Sequence, residues 1–393
     1  MENVIIATIL SFVITYFAIP VLIRVAELKH LYDEPDERKS HKVRIPTLGG
    51  LGFFAGFILA SAVCVPAKEN FPLQYLLAAF FVIFIVGMKD DLVGLSPVKK
   101  LVGQLVAAFA IIYLGNLQIS NMYGFLGMGE LPYHFSLLLT YFTFIVVINA
   151  FNLIDGVDGL AGSIGLVVSA VLGAYFLFAN EMLYAVMGFS LAAGLAGFLI
   201  YNISPARIFM GDTGSLLVGL VNATLIVKFI DVAGNPNGVM PLQAVPAIAF
   251  SVLIVPLFDT LRVFTIRMAR GRSPFTADRH HIHHYMLALG LSHRQTTGIA
   301  VASNIAFILL AYNLQFLGTT ALVFVVGGLA LGGTTMLFYL KRRKEMAALA
   351  AAEAAVLATA AAAAAEVVPA EPQPATTKSK ILRVNTETIM QDK

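Results

Sequence analysis

The stretch Gly87-Met88-Lys89-Asp90-Asp91-Leu92-Val93-Gly94 sets two adjacent carboxylates where an apolar run, Leu73–Met88, gives out. An Asp in the middle of a membrane span costs about 2.5–3.5 kcal/mol on insertion scales, and near a helix end that cost nearly vanishes. The pair therefore belongs at a membrane–water interface, where it can hold a cation. At about 4 Å and an effective dielectric near 20, each unit charge pair is worth about 4 kcal/mol. A solvated helix end is the simpler alternative, but an anionic lipid surface penalises exposed carboxylates.

Four further stretches carry chemistry. Asn149-Ala150-Phe151-Asn152-Leu153-Ile154-Asp155-Gly156-Val157-Asp158-Gly159-Leu160-Ala161-Gly162 sets amides and two carboxylates beside threefold-spaced glycines. Close helix packing explains the glycines and leaves the polar groups unexplained. The twelve-residue calcium-loop pattern is absent. Ile208–Leu216 contains Asp212 at a helix start, where an N-cap is the ordinary reading; as a third carboxylate on the same face it becomes a metal-ligand candidate. Arg38–Gly50 places basic residues, Lys42 among them, before Gly49-Gly50. Those residues suit either a phosphate at a helix N-terminus or a stop-transfer cluster with glycines for helix packing. Ser273–His284 holds Arg279, His280, His281, His283 and His284. Zinc requires a defined ligand set, and the adjacent Arg279 favours an anion, so donors to a diphosphate or sugar are preferred over a metal site or plain packing.

These stretches must be positioned by a membrane protein. Of 393 residues, 58% are hydrophobic and 12% charged, and mean hydropathy is +0.82. Soluble globules do not have this composition. The single cysteine, Cys64, excludes a disulfide framework and a paired-Cys metal site. Eleven apolar segments are expected at roughly 3–25, 47–65, 73–88, 98–114, 136–151, 160–179, 182–201, 214–231, 243–266, 295–313 and 318–340. The first lacks a basic start and a cleavage site and reads as a retained span. Alternate gaps hold Lys29 to Arg44, Lys89 to Lys100, Arg207, Arg267 to Arg294 and Lys341–Lys344; the others hold Lys68, with Lys228 near one edge. The positive-inside rule then puts the N-terminus outside, the C-terminus in the cytoplasm, and Asp90, Asp91, Asn152, Asp155, Asp158, Asp212 and the histidines of 280–284 on the cytoplasmic face. Residues 115–135 read as an external hairpin or loop and Asn235–Gly238 as an external turn. The expected fold is an all-α polytopic membrane domain over 1–340, a basic then Ala-rich cytoplasmic helix over 341–366, and a disordered tail over 367–393.

Gly87–Leu92, Asn149–Gly162, Phe209–Leu216 and Pro274–His284, in this order between spans, resemble the polyprenyl-phosphate N-acetylhexosamine-1-phosphate transferases over roughly residues 1–340. The resemblance implies transfer of a sugar-1-phosphate from a UDP-sugar to undecaprenyl phosphate at the bacterial inner membrane, with release of UMP and a need for Mg²⁺ (Mn²⁺ in its place being admissible). It implies that Asp90 activates the lipid phosphate, with Asp91 supporting metal and phosphate geometry, and that Asp212 is the principal Mg²⁺ ligand. Asn152 and Asp155 would hold the diphosphate–metal region, Asp155 counting among the catalytic carboxylates. Lys42 and Asn202 would line the nucleotide pocket, Phe209 would stack on uracil and Asp158 would read its edge. Arg279, His281, His283 and His284 would contact diphosphate and sugar. The partners implied are a UDP-N-acetylhexosamine, undecaprenyl phosphate, the bilayer and a second copy in a homodimer, with no nucleic acid.

The histidine stretch separates branches. Phospho-N-acetylmuramoyl-pentapeptide transferases resemble an uninterrupted His triplet after Pro-Phe, whereas His281-Ile282-His283-His284 after Asp278-Arg279 is similar to the N-acetylglucosamine branch. From another class, a lipid-linked sugar transporter or flippase would place ionisable groups near the bilayer midplane. The apolar segments here are nearly free of charge, which favours an interfacial enzyme.

Overall fold

The computed structural model describes residues 1–29, 32–33, 45–66, 70–269, 271 and 281–366. A chain in hydrocarbon must satisfy its backbone N–H and C=O groups internally, so long apolar runs fold as helices. These are α1 (Glu2–Lys29), α2 (Gly49–Cys64), α3 (Asn70–Val93), α4 (Pro97–Phe109), α5 (Tyr133–Ile154), α6 (Leu160–Phe178), α7 (Met182–Asn202), α8 (Gly211–Ala233), α9 (Val245–Val252), α10 (Ile254–Ala269), α11 (Ile282–Ala288), α12 (His293–Asn313) and α13 (Thr319–Glu366). Each of the eleven apolar segments is helical over most of its length. Among the described residues, eight spans pass on length and hydropathy, one of them α4 continued by a π-helical turn, Ala110–Leu114. A ninth counts α9 with α10 as one broken span. The expected ninth segment is thus two helices, bent by 87° at a one-residue break.

Two short hairpins complete the fold. β1 (Tyr32–Asp33) pairs antiparallel with β2 (Ile45–Pro46), and β3 (Asn121–Phe125) with β4 (Met128–Glu130). The second is the hairpin expected in 115–135; Gly124 and Gly127 at its tip have positive φ. The chain divides into two units, Met1–Lys341 and Arg342–Lys393. In the second, the described residues are helical to Glu366. The tail 367–393, Lys42 and Arg279 lie outside the described residues.

Two spans organise the first unit. α7 and α8 are the most enclosed; α8 packs on α3 and α5, and α7 on α1 and α6. Small residues let the start of α8 come close to its neighbours. A Cβ at Gly50 of α2 would lie 2.3 Å from the Gly214 backbone, and one at Gly87 of α3 would lie 2.5 Å from Thr213 Cα. These contacts bring Asp90 and Asp91, at the end of α3, against the first turn of α8.

Candidate active site

The end of α3 is followed by Gly94 at φ +70° and by Pro97 at the first turn of α4. Glycine closes one helix and proline opens the next. Asp90 ties the turn together: its Oδ1 accepts from Leu95 N at 2.6 Å and its carbonyl from Gly94 N at 2.9 Å. The reversal brings Lys100 back over Asp90. Lys100 Nζ lies 3.0 Å from Asp90 Oδ2, 2.9 Å from Asp212 Oδ2 and 3.2 Å from Asn152 Oδ1. Asn152 Nδ2 donates to Asp212 Oδ1 and, at 2.9 Å, to Ser215 Oγ. Four elements thus converge on one ammonium. Sequence reasoning counted Lys100 only as a topology charge; its signal was the Gly-x-x-Pro turn that returns α4 toward Asp90.

Asp91 faces the other way. Its Oδ1 accepts from Asp212 N at 2.7 Å, and its Oδ2 from Thr213 N at 2.9 Å and Thr213 Oγ1 at 2.6 Å. It caps α8 from another helix, satisfying two of that helix's free amides and placing a negative charge at the positive end of the dipole. Both oxygens expected to serve a metal are engaged in this way. Gly211, which opens α8, has φ +69°, and a Cβ there would lie 2.6 Å from Asp91 Oδ2 and from Thr47 O. The start of α2 is also committed: Gly49 N donates to Phe209 O at 2.9 Å and Gly50 N to Met210 O at 3.0 Å. These bonds favour the packing reading of Gly49-Gly50 over a phosphate seat on those amides.

The α5–α6 turn supplies the remaining carboxylates. Asp155 is the C-cap of α5. Burial first, then repulsion from Asp212, Asp91 and Asp158, pushes its carboxyl well above the ordinary carboxylate range. Asp158 Oδ1 lies 3.3 Å from His293 Nδ1, and its carbonyl accepts from Thr297 Oγ1 at 2.9 Å, which secures the turn to α12. His293 was not anticipated. Asn202 is buried, accepting from Gly159 N at 2.9 Å and donating to Ile208 O at 2.8 Å. It clamps the turn to the segment bearing Phe209, whose ring is half-buried and whose N–H donates to Pro46 O at 2.7 Å.

His283 reaches the same turn, since a Cβ at Gly156 would lie 3.1 Å from its Nε2. His281 and His283 stack with centroids 5.6 Å apart, and His284 lies 4.3 Å from His283. His281 and His283 are buried. Burial pushes the His283 imidazolium down to about 3, with His284 adding repulsion, so the ring is neutral at physiological pH. The structure therefore joins Asp90, Asn152 and Asp212 through Lys100, sets Asp155 within reach of the Asp212 and Asp91 charges, places His283 against Gly156 of the same turn, and uses Asp91 and Asn202 as supports.

The oxygens around Lys100 are hard donors of the kind that bind Mg²⁺ through one or two carboxylates. Lys100 Nζ is the cation they hold here, and the repulsion at Asp155 is charge that a further cation would offset; among the described residues no three carboxylates or histidines are grouped to hold a metal ion by themselves. Nearby, α10, α11 and α13 enclose an apolar groove of about 870 Å³ lined by Phe258, Leu261, Phe324, Leu331 and Phe338, with Arg262 and Tyr285 among its polar lining.

The family model described as glycosyl transferase family 4 matches residues 73–230. The chain is 32% identical over 305 residues to the decaprenyl-phosphate N-acetylglucosaminephosphotransferase of Mycobacterium tuberculosis, covering 72% of this chain and 75% of that protein. To the undecaprenyl-phosphate alpha-N-acetylglucosaminyl 1-phosphate transferase of Salmonella typhi it is 32% identical, over 67% of this chain and 71% of that protein. A probable undecaprenyl-phosphate N-acetylglucosaminyl 1-phosphate transferase of Bacillus subtilis is 31% identical, over 75% and 80%. The four motif stretches, the membrane helices that gather them and these relatives agree, and the chain belongs to the polyprenyl-phosphate N-acetylglucosamine-1-phosphate transferases.

Proposed function

We propose that this protein transfers GlcNAc-1-phosphate from UDP-GlcNAc to undecaprenyl phosphate, releasing UMP, as the first membrane step of a cell-envelope polysaccharide. A lipid phosphate oxygen forms a bond to the sugar-bearing phosphorus, and the bond from that phosphorus to the bridging oxygen breaks, with the electron pair leaving on UMP. The observation that carries the reading is the convergence of Asp90, Asp212 and Asn152 on Lys100 in a chain with these relatives. Both substrates are anionic, so bringing them together is a matter of positioning and charge compensation.

The residues divide that work. Lys100 offsets phosphate charge and bridges Asp90 and Asp212. Asp90 takes the lipid phosphate, and Asp212 with Asn152 holds Mg²⁺, or Mn²⁺ in its place. When bound, that ion neutralises phosphate oxygens. Asp91 keeps Asp212 in register through the α8 amides, and Asp155 faces the same charge. Lys42, Phe209 and Asp158 take the uridine end, with Asn202 behind them; Arg279, His281, His283 and His284 take the diphosphate and sugar. The apolar groove beside α11 supports delivery of a lipid from the bilayer. On this reading the eleven apolar segments are spans and the site faces the cytoplasm of the bacterial inner membrane, with the N-terminus outside, an orientation that the charge distribution supports.

The names of the relatives favour the N-acetylglucosamine reading over a muramoyl-pentapeptide transferase. The test is conversion by purified protein in detergent, given Mg²⁺, undecaprenyl phosphate and each of a panel of UDP-sugars. A lipid-linked product and UMP are expected from UDP-GlcNAc, and a product from a different UDP-hexose alone would overturn the substrate assignment.

A further inference from the structure

The break between α9 and α10 delivers a carboxylate to the histidine stretch. Asp259, in the second turn of α10, is 2% exposed. Its Oδ2 lies 3.0 Å from His281 Nδ1, and its Oδ1 accepts from Ile282 N at 3.1 Å and from Arg262 Nη2 at 2.9 Å. His281 is the N-cap residue of α11 and makes no side-chain cap of its own, so Asp259 satisfies that helix's first amide from outside. A carboxylate only accepts, which fixes the His281 proton on Nδ1 and leaves Nε2 as the ring's other polar atom. The His281 ring lies parallel to His283, with 5° between their planes, and His283 reaches Gly156 beside Asp155.

We propose that Asp259 is a positioning residue for the transfer reaction. It holds His281 in the Nδ1–H form and fixes the start of α11, so that the histidines meet the Asp155–Asp158 turn in one arrangement. The proposal rests on the transferase reading above, in which the histidines face diphosphate and sugar. Carboxylate partners that orient a functional imidazole typically change activity by about 10–100-fold when lost. Asn in place of Asp259 keeps the volume and an acceptor for Ile282 N, yet presents an amide donor that favours the other His281 tautomer.

The test has two arms. In turnover, Asp259→Asn is expected to lower kcat by about 10–100-fold with KM for undecaprenyl phosphate unchanged, and the loss is expected to vanish in a His281→Ala background, because coupled residues are non-additive. Full addition of the two losses, or wild-type kcat in a folded Asp259→Asn protein, overturns the proposal. In the second arm, nitrogen-labelled histidine NMR of the wild-type protein, with His281→Gln for assignment, is expected to show the proton on Nδ1. A ring protonated on Nε2 and not on Nδ1 overturns the proposal even where Asp259→Asn fails to fold. This arm needs no turnover, so absence of sugar-phosphate transfer would sink the transferase reading while leaving the Asp259–His281 pair measurable.

Discussion

At the scale of single residues, the site is a problem of charge accounting. Asp90 and Asp212 are each within 3.0 Å of Lys100 Nζ, so the ammonium bridges and neutralises two carboxylates that lie in hydrogen-bond contact with each other. Removing one partner of such a group leaves uncompensated charge, at a cost below the ~3–5 kcal/mol of a fully buried pair, because all three side chains are only partly buried. Lys100→Gln is therefore expected to lower turnover by about 100-fold or more, measured as UMP release, with an accompanying drop in melting temperature. His283 behaves differently because it is buried and neutral. Its folded value of about 3 lies below the ordinary value of 6.5, so between those limits the unfolded chain binds the additional proton. The resulting stability is complete above about pH 6.5 and is lost as pH falls toward about 3. Thermal denaturation in detergent is expected to show melting falling on acidification, and His283→Gln is expected to flatten that slope.

At the scale of elements, the helix start at α8 is the piece on which the geometry depends. Gly211 combines φ +69° with contacts that leave no room for a Cβ. Gly211→Ala is expected to cost about 1–3 kcal/mol from the backbone alone and to abolish turnover by displacing Asp212, which melting curves and UMP release together would report. Asp91→Ala uncaps the same helix and is expected to cost about 1–2 kcal/mol. The apolar spans were legible in the sequence because apolar length and backbone satisfaction leave helix as the solution. The Asn149–Gly162 turn was legible because packing alone leaves its polar residues unexplained. The 87° break in the ninth segment is not, since Val252-Leu253-Ile254-Val255 is an unbroken apolar run and Leu253 at the break carries no turn signal. Lys100 was missed for a related reason: its partners are 10, 52 and 112 residues away, and only the folded α3–α4 reversal and the α5 and α8 termini bring them together. The resemblance implies a metal- and phosphate-supporting Asp91 and a pocket-lining Asn202, while their bonds to α8 amides and to Gly159 and Ile208 are tertiary facts that no residue type announces.

At the scale of the whole molecule, the proposed reaction has one face of a helical membrane protein collect the site's carboxylates, amides and histidines, while the spans are apolar apart from groups such as Asp259 and Arg262 of α10. That arrangement suits a reaction between a dissolved nucleotide and a phosphate anchored in lipid, since the two meet only at the membrane surface. Sealed vesicles containing the purified protein test this most directly. In a Cys64→Ala background, Ser96→Cys, in the α3–α4 turn, marks the proposed site face, and Asn237→Cys marks the opposite one; both native residues are exposed. With labelled UDP-GlcNAc outside and undecaprenyl phosphate in the bilayer, lipid-linked product is expected only from protein whose Ser96→Cys thiol reacts with an impermeant reagent added outside. Product formed by protein oriented with only the Asn237→Cys thiol reactive would contradict the account.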